Sequence, residues 1–148
     1  DLGARLSGGT PDEIAALRRY GLSLGTAYQI YDDCLDLYGA ESAAGKSLGT
    51  DLASGKVTLP LIMGLDHSAP ADRDRLVGWL ENWQPEHFPQ VRHLLEQHKA
   101  LERSREVIGE FLNISDAALS TLKSGPQVDA LYALSRFLAR QTDLLAGS

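Results

Sequence analysis

The 148-residue sequence predicts an all-α fold, a helical bundle, and three observations carry that expectation. Apolar positions recur at helical spacing nearly throughout. No segment shows the strict alternation of a half-buried strand. Most prolines stand at the ends of periodic runs rather than inside them. With 43% apolar residues the chain can build a real core. The balance of 14 basic against 20 acidic residues gives a formal net charge of −6. That argues against nucleic acid or an anionic membrane surface as the main partner. A single cysteine, Cys34, excludes an internal disulfide framework and makes the cytoplasm the expected compartment. No apolar run approaches the roughly 20 residues of a transmembrane segment, and no signal peptide is visible.

The chain opens at Asp1 in sequence of helical character. The clearest helix start follows, at Thr10-Pro11-Asp12-Glu13: a hydroxyl N-cap, proline at the first helical position, and a glutamate placed to close a capping box. This helix runs to about Leu37, roughly seven turns. At 100° per residue, Leu17, Leu24, Tyr28, Tyr31 and Leu35 fall within about 60° of one another and are expected to face the core. Residues 39–55 carry Gly39, Gly45, Gly49 and Gly55 with no sustained apolar period. Structureless stretches of that length in a compact domain are usually functional or disordered, and this one is expected to order over a ligand. A second helix begins near Pro60, through Leu61, Ile62 and Leu65. Pro70 breaks the chain before a shorter helix over 76–83. Two more are expected over roughly 90–122, with a division at Lys99 or Asn113 left open, and over 127–145 after Ser124-Gly125-Pro126. No repeat and no interdomain linker is evident, so residues 1–148 read as one all-helical region.

The chemistry gathers on the first long helix. Asp32 and Asp36 are four apart and Asp33 and Asp36 three apart, so the three carboxylates share one side, with Gln29 a turn before. Gly21 and Gly25 lie on that side too and leave room beside it. Like charges at these spacings each cost the helix a few tenths of a kcal/mol. No basic residue sits within a turn to neutralise them, and a bound cation is the simplest remedy. Mg²⁺, which keeps several waters and shares its other positions with phosphate, suits such a site. The aspartate string alone equally reads as a solvated acidic face, and Tyr28 and Tyr31 alone as core residues. Lys46 and Lys56 follow in Gly45-Lys46 and Gly55-Lys56, on a loop that can bring ammonium groups to a metal-bound diphosphate.

Together these strings resemble a known family. The run Tyr28-Gln29-Ile30-Tyr31-Asp32-Asp33-Cys34-Leu35-Asp36, then Gly45-Lys46, Gly49-Thr50-Asp51-Leu52 and Gly55-Lys56-Val57-Thr58-Leu59-Pro60-Leu61-Ile62, resembles the trans-isoprenyl diphosphate synthases (polyprenyl synthetases). It corresponds to their second aspartate-rich motif and the loop beyond, over about 35 positions. The resemblance implies the C-terminal part of the isoprenoid synthase fold and an enzyme that is usually a homodimer. Such a prenyltransferase joins isopentenyl diphosphate to an allylic diphosphate to give a longer all-trans prenyl diphosphate. It implies Mg²⁺ as the cofactor. Asp32 resembles a direct ligand, and Asp33 and Asp36 resemble partners of metal-bound waters. Gln29, Lys46 and Lys56 resemble diphosphate contacts, and Tyr28 an aromatic beside the prenyl chain. Asp51 and Thr58 read as loop structure, Cys34 as a small packing residue, and His67, His87, His93 and His98 as surface residues.

The family's first aspartate-rich motif is absent, as are the basic residues that hold isopentenyl diphosphate. The sequence therefore resembles the C-terminal half of such an enzyme, and the chain alone is expected not to turn over. Two other readings compete: a non-catalytic regulatory subunit of a heteromeric synthase, and a class I terpene cyclase. The intact aspartate set argues against the first, and the Gly55-Lys56-Val57-Thr58-Leu59-Pro60 stretch against the second.

Overall fold

The computed structural model describes residues 2–39 and 48–145. Eight α-helices follow one another among them, with no strand: α1 (Leu2–Leu6), α2 (Pro11–Tyr38), α3 (Thr50–Ala53), α4 (Leu59–His67), α5 (Pro70–Glu81), α6 (Phe88–Gln97), α7 (Ala100–Leu119) and α8 (Pro126–Leu144). A 3₁₀ turn at Pro85–His87 leads into α6. The expected all-α bundle is what the chain forms.

Local chemistry sets the boundaries of the long helices. At the head of α2 both halves of the capping box are made: the Glu13 amide donates to Thr10 Oγ1 at 3.3 Å, and the Thr10 amide donates to Glu13 Oε2 at 2.8 Å. The division expected near Lys99 or Asn113 falls at Lys99, whose φ of 55° ends α6 and lets α7 leave in a new direction. Asn113 sits inside α7, which closes at Leu119 rather than near 122. Pro70 opens α5 instead of merely preceding a helix at 76, because proline's missing N–H costs nothing in a first turn. The stretch 39–55 is not wholly irregular, since α3 forms within it. Residues 40–47 of that stretch lie outside the described residues.

α7 is the central helix, packing against α2 along most of its length and also against α4, α6 and α8. The face of α2 that it covers is not the expected one. Ala16, Tyr20, Ser23, Ala27, Ile30, Cys34 and Leu37 are buried, whereas Leu17, Leu24, Tyr31 and Leu35 are half-buried and Tyr28 is 59% exposed. The true core face lies about a quarter-turn from the predicted stripe. Small side chains decide it: α7 answers with Ala100, Ser104, Ser115 and Ala118, all buried. The buried serines are satisfied by carbonyls of their own helix, Ser104 bonding to Ala100 at 2.7 Å and Ser115 to Leu112 at 2.7 Å. The large side chains at this interface, Ile108, Leu112 and Leu37, complete the core with Leu61, Leu76, Val91 and Leu95 from the shorter helices.

Candidate active site

The aspartates stand on the last two turns of α2, where the chain returns through Gly49 and α3 to lie against the helix end. Sequence spacing placed the three carboxylates on one side, and the structure gives each a different environment. Asp36 is fully buried. Its Oδ1 accepts from the Thr50 hydroxyl at 2.7 Å and the Thr50 amide at 3.2 Å, and its Oδ2 accepts from the Asp51 amide at 3.0 Å. Asp33 is nearly buried and accepts at Oδ1 from Lys56 Nζ at 2.8 Å and from Gln29 Nε2 at 3.1 Å. Asp32 is half-buried, and among the described residues its carboxylate makes no hydrogen bond or ion pair.

The crowding of like charges is therefore met in part by the protein itself. The remedy is Lys56, 23 residues from Asp33 in sequence and 2.8 Å away in space. Spacing along the helix could not show it. Lys56 also reaches Asp51 Oδ2 at 3.3 Å. Its hydrogen bond to Asp33, aided by the charges of Asp33 and Asp51, raises its pKa above the ordinary lysine value, while partial desolvation opposes. Asp51 thus does more than shape the loop. Gly49-Thr50-Asp51, two hydrogen-bonding residues after a glycine, was the one hint of it in the sequence.

One turn back from the aspartates, α2 borders a cavity of about 490 Å³. Gly21, Leu24, Gly25 and Tyr28 line it from α2, and Leu134 and Phe137 from α8. A methyl group at Gly21 or Gly25 would meet nothing within 4 Å, so both glycines do leave open space. Tyr28 and Tyr31 both line the cavity, with ring centroids 6.2 Å apart, and Tyr31 directly precedes Asp32. Burial pushes the Tyr31 phenol above its ordinary value, with the neighbouring Tyr28 and Asp32 adding to the shift. The α8 contribution was not foreseen from the sequence, although Leu134 and Phe137, three apart and both apolar, were its signal.

Lys46 lies outside the described residues. Cys34 is fully buried, and burial pushes its thiol up to about 12, as a packing residue requires. His67 and His93 are exposed, but His98 is half-buried and its Nε2 sits 3.0 Å from Asp72 Oδ2, tying α6 to α5. His87 lies between the rings of Trp79 and Trp83 at centroid distances of 6.3 and 6.4 Å. Neither is a simple surface histidine. Among the described residues no three histidine, cysteine or carboxylate groups converge into a metal-binding set. No helix among them is long and apolar enough to cross a membrane.

The fit to a divalent cation can be judged on these donors. Mg²⁺ prefers hard oxygens and keeps several waters. Asp32 offers such an oxygen, unengaged and partly open; Asp33 has its Oδ1 taken by Lys56 and Gln29 and keeps its Oδ2 without a hydrogen bond among the described residues. The chain thus fits a cation held by Asp32 and completed by groups from elsewhere.

Comparison with known proteins places the fold and the family. The polyprenyl synthetase family model matches residues 1–98. A short chain isoprenyl diphosphate synthase of Methanothermobacter thermautotrophicus is 33% identical over 136 residues, covering 92% of this chain and 42% of the relative. The octaprenyl diphosphate synthase of Escherichia coli is 33% identical over 137 residues, covering 92% and 42%. The geranylgeranyl pyrophosphate synthase of Corynebacterium glutamicum, solved in complex with isoprenyl diphosphate and magnesium, superposes with a TM-score of 0.84 at 28% identity, over 95% of this chain and 41% of that one. A polyprenyl synthase of Caulobacter crescentus, solved with calcium and isoprenyl diphosphate, gives 0.82 at 33% identity, over 94% and 43%. The chain spans about two fifths of the length of the relatives it matches. Its helices are those of the isoprenoid synthase fold, and the chain belongs to the polyprenyl synthetase family.

Proposed function

We propose that this chain is the C-terminal half of a trans-prenyltransferase that condenses isopentenyl diphosphate with an allylic diphosphate into a longer all-trans prenyl diphosphate. One observation supports the reading above the others: a charged end and an apolar groove lie in succession along one helix. The substrate has the same division, a doubly phosphorylated head and a hydrocarbon tail. Asp32 and Lys56 stand at the head position, and Gly21, Leu24, Gly25 and Tyr28 along the tail.

Each group then has a physical task. Asp32 holds Mg²⁺ from this side, with the remaining ligands supplied by the first aspartate-rich motif of the full-length enzyme. When bound, the metal neutralises charge that develops on the departing diphosphate. Lys56, Lys46 and the Gln29 amide donate to diphosphate oxygens, and charge-assisted bonds of this kind are about twice as strong as neutral ones. Asp33 orients Gln29 and Lys56 for that role. Tyr28 and the groove residues keep water from the allylic carbon, which would otherwise be hydrolysed instead of coupled. The lone buried thiol suits the cytoplasm as the site of action. Assembly is proposed to be homodimeric; a relative 31% identical over 95% of this chain is a heptaprenyl diphosphate synthase component 2 of Bacillus subtilis, so sedimentation should test for a partner chain as well.

The test is incubation of the full-length protein with labelled isopentenyl diphosphate, an allylic diphosphate and Mg²⁺. Incorporation of label into longer prenyl diphosphates is expected. Cyclic hydrocarbon formed from the allylic substrate, with isopentenyl diphosphate untouched, would establish a cyclase instead.

A further inference from the structure

We propose that Asp36 is a positioning residue: its buried carboxylate clamps the returning loop at Thr50 and Asp51 and thereby fixes where the Lys56 ammonium sits. The catalytic consequence rests on the diphosphate-binding reading above; the clamp itself does not.

A carboxylate with no solvent exposure is tolerated only when donors replace the water it has lost. Asp36 has the Thr50 hydroxyl, the Thr50 amide and the Asp51 amide on its two oxygens. Every one of these groups donates, so the position calls for an acid; an asparagine would turn an NH₂ towards at least one N–H. The Asp36 backbone joins in, its carbonyl accepting from the Gly49 amide at 2.9 Å. Phe88 closes the opposite side. Gly49 has a φ of +74°, and a Cβ there would lie 2.6 Å from the Phe88 ring. The segment is thus held between a carboxylate beneath and an aromatic ring above.

From this anchor the geometry runs directly to Lys56. The Asp51 carbonyl accepts from the Ser54 hydroxyl at 2.8 Å and from the Lys56 amide at 2.9 Å, which folds the chain back on itself. The Asp51 carboxylate then holds Lys56 Nζ from one side at 3.3 Å while Asp33 holds it from the other at 2.8 Å. Asp36 sets Asp51, and Asp51 with Asp33 sets the ammonium. The same hydrogen bonds keep Asp36 from serving as a partner of metal-bound water, because a water could reach its oxygens only by displacing the loop. The third aspartate of the string therefore has a task different from the first.

The experiment uses the full-length protein with Asp36→Asn, Thr50→Val, Thr50→Ser and, for contrast, Asp32→Asn. Hydrogen exchange is read without metal, followed by Mg²⁺ titration of activity and by KM and kcat for the allylic diphosphate. Asp36→Asn and Thr50→Val should each speed exchange at the amides of residues 50 and 51 by roughly tenfold or more, the equivalent of one charge-assisted hydrogen bond. Both should raise KM for the allylic diphosphate and leave the Mg²⁺ midpoint unmoved. Thr50→Ser, which keeps the hydroxyl, should restore wild-type behaviour. Asp32→Asn should do the reverse, shifting the Mg²⁺ midpoint with exchange unchanged. A shifted Mg²⁺ midpoint in Asp36→Asn with normal exchange would overturn the clamp, and so would Thr50→Val with normal exchange should Asp36→Asn fail to fold. Absence of prenyl transfer even in the wild type would remove the enzymatic reading while the exchange data still decided the clamp.

Discussion

Lys56 stands where two carboxylates would otherwise face each other, 2.8 Å from Asp33 and 3.3 Å from Asp51. It acts as an internal counter-ion, and this gives Lys56→Gln effects of opposite sign. Without the ammonium the aspartate end is more negative, so Mg²⁺ alone should bind more tightly. Diphosphate in the presence of Mg²⁺ should bind more weakly, because a donor is lost. Calorimetric titration of each ligand distinguishes this from a general loss of structure, in which both affinities fall together. The pH dependence follows from the raised lysine pKa. Stability from the pair is fully present below the ordinary lysine value and is lost as pH rises through the higher folded value. The difference in Tm between wild type and Lys56→Gln should therefore hold through neutral pH and shrink only in strongly alkaline buffer. Cys34 offers a second check at this scale. With its thiol pushed up to about 12 and no exposure, it should react with an aromatic disulfide reagent only at the rate of global opening. Rapid labelling under native conditions would show that the α2–α7 contact is looser than described.

Among the elements, α2 and α7 meet through small side chains, and a close approach of this kind is intolerant of added volume. Ala27 is fully buried. Ala27→Leu should destabilise by about 1–3 kcal/mol, the usual cost of overpacking, measured by denaturant titration. A neutral result would place the contact elsewhere on α2. The break between α6 and α7 makes a prediction of the other sign. Lys99 holds a φ of 55°, a conformation that costs a non-glycine residue about 1–2 kcal/mol. Glycine escapes that strain but loses about 0.5–1 kcal/mol more entropy on folding. Lys99→Gly should therefore raise stability by several tenths of a kcal/mol to about 1 kcal/mol in thermal melts. These elements also mark what the sequence made legible. The Thr10 capping box, the chain breaks at Pro70 and Pro126 and the division at Lys99, one of the two positions left open, are local signals. Local signals survive without knowledge of the partner helix, though the start of α5 at Pro70 itself was missed. The buried face of α2 did not survive, because large apolar residues drew the eye to Leu17, Leu24 and Tyr28 while Ala16, Ser23, Ala27 and Cys34 made the contact. The separation of Asp32 from Asp36 was hidden for a related reason: it depends on Thr50 and Asp51, which spacing within α2 cannot reach.

At the scale of the molecule, the apolar groove between α2 and α8 and the aspartate end of α2 follow one another as tail and head. Tyr28 is 59% exposed and, across the groove on α8, Leu134 is 48% and Phe137 52%. Beyond this apolar stretch come Asp32, Gln29 and Lys56, the donors and acceptors of the aspartate end. The account stands or falls on whether Asp32 holds a cation there or is one more solvated acid. Asp74, exposed on α5 and remote in sequence from the aspartate string, provides the control, since Asp32→Ala and Asp74→Ala each remove one negative charge. Losing a metal ligand that stabilises a departing group is comparable to losing an oxyanion donor, about 2.7–4 kcal/mol or roughly 10²–10³ in rate. The decisive measurement is steady-state prenyl transfer by the full-length protein across a Mg²⁺ titration, paired with thermal melts in a chelator. Asp32→Ala should lose that factor with metal-free stability unchanged or slightly higher, while Asp74→Ala keeps wild-type turnover. Near-normal turnover of Asp32→Ala at every Mg²⁺ concentration would contradict the assignment of the site.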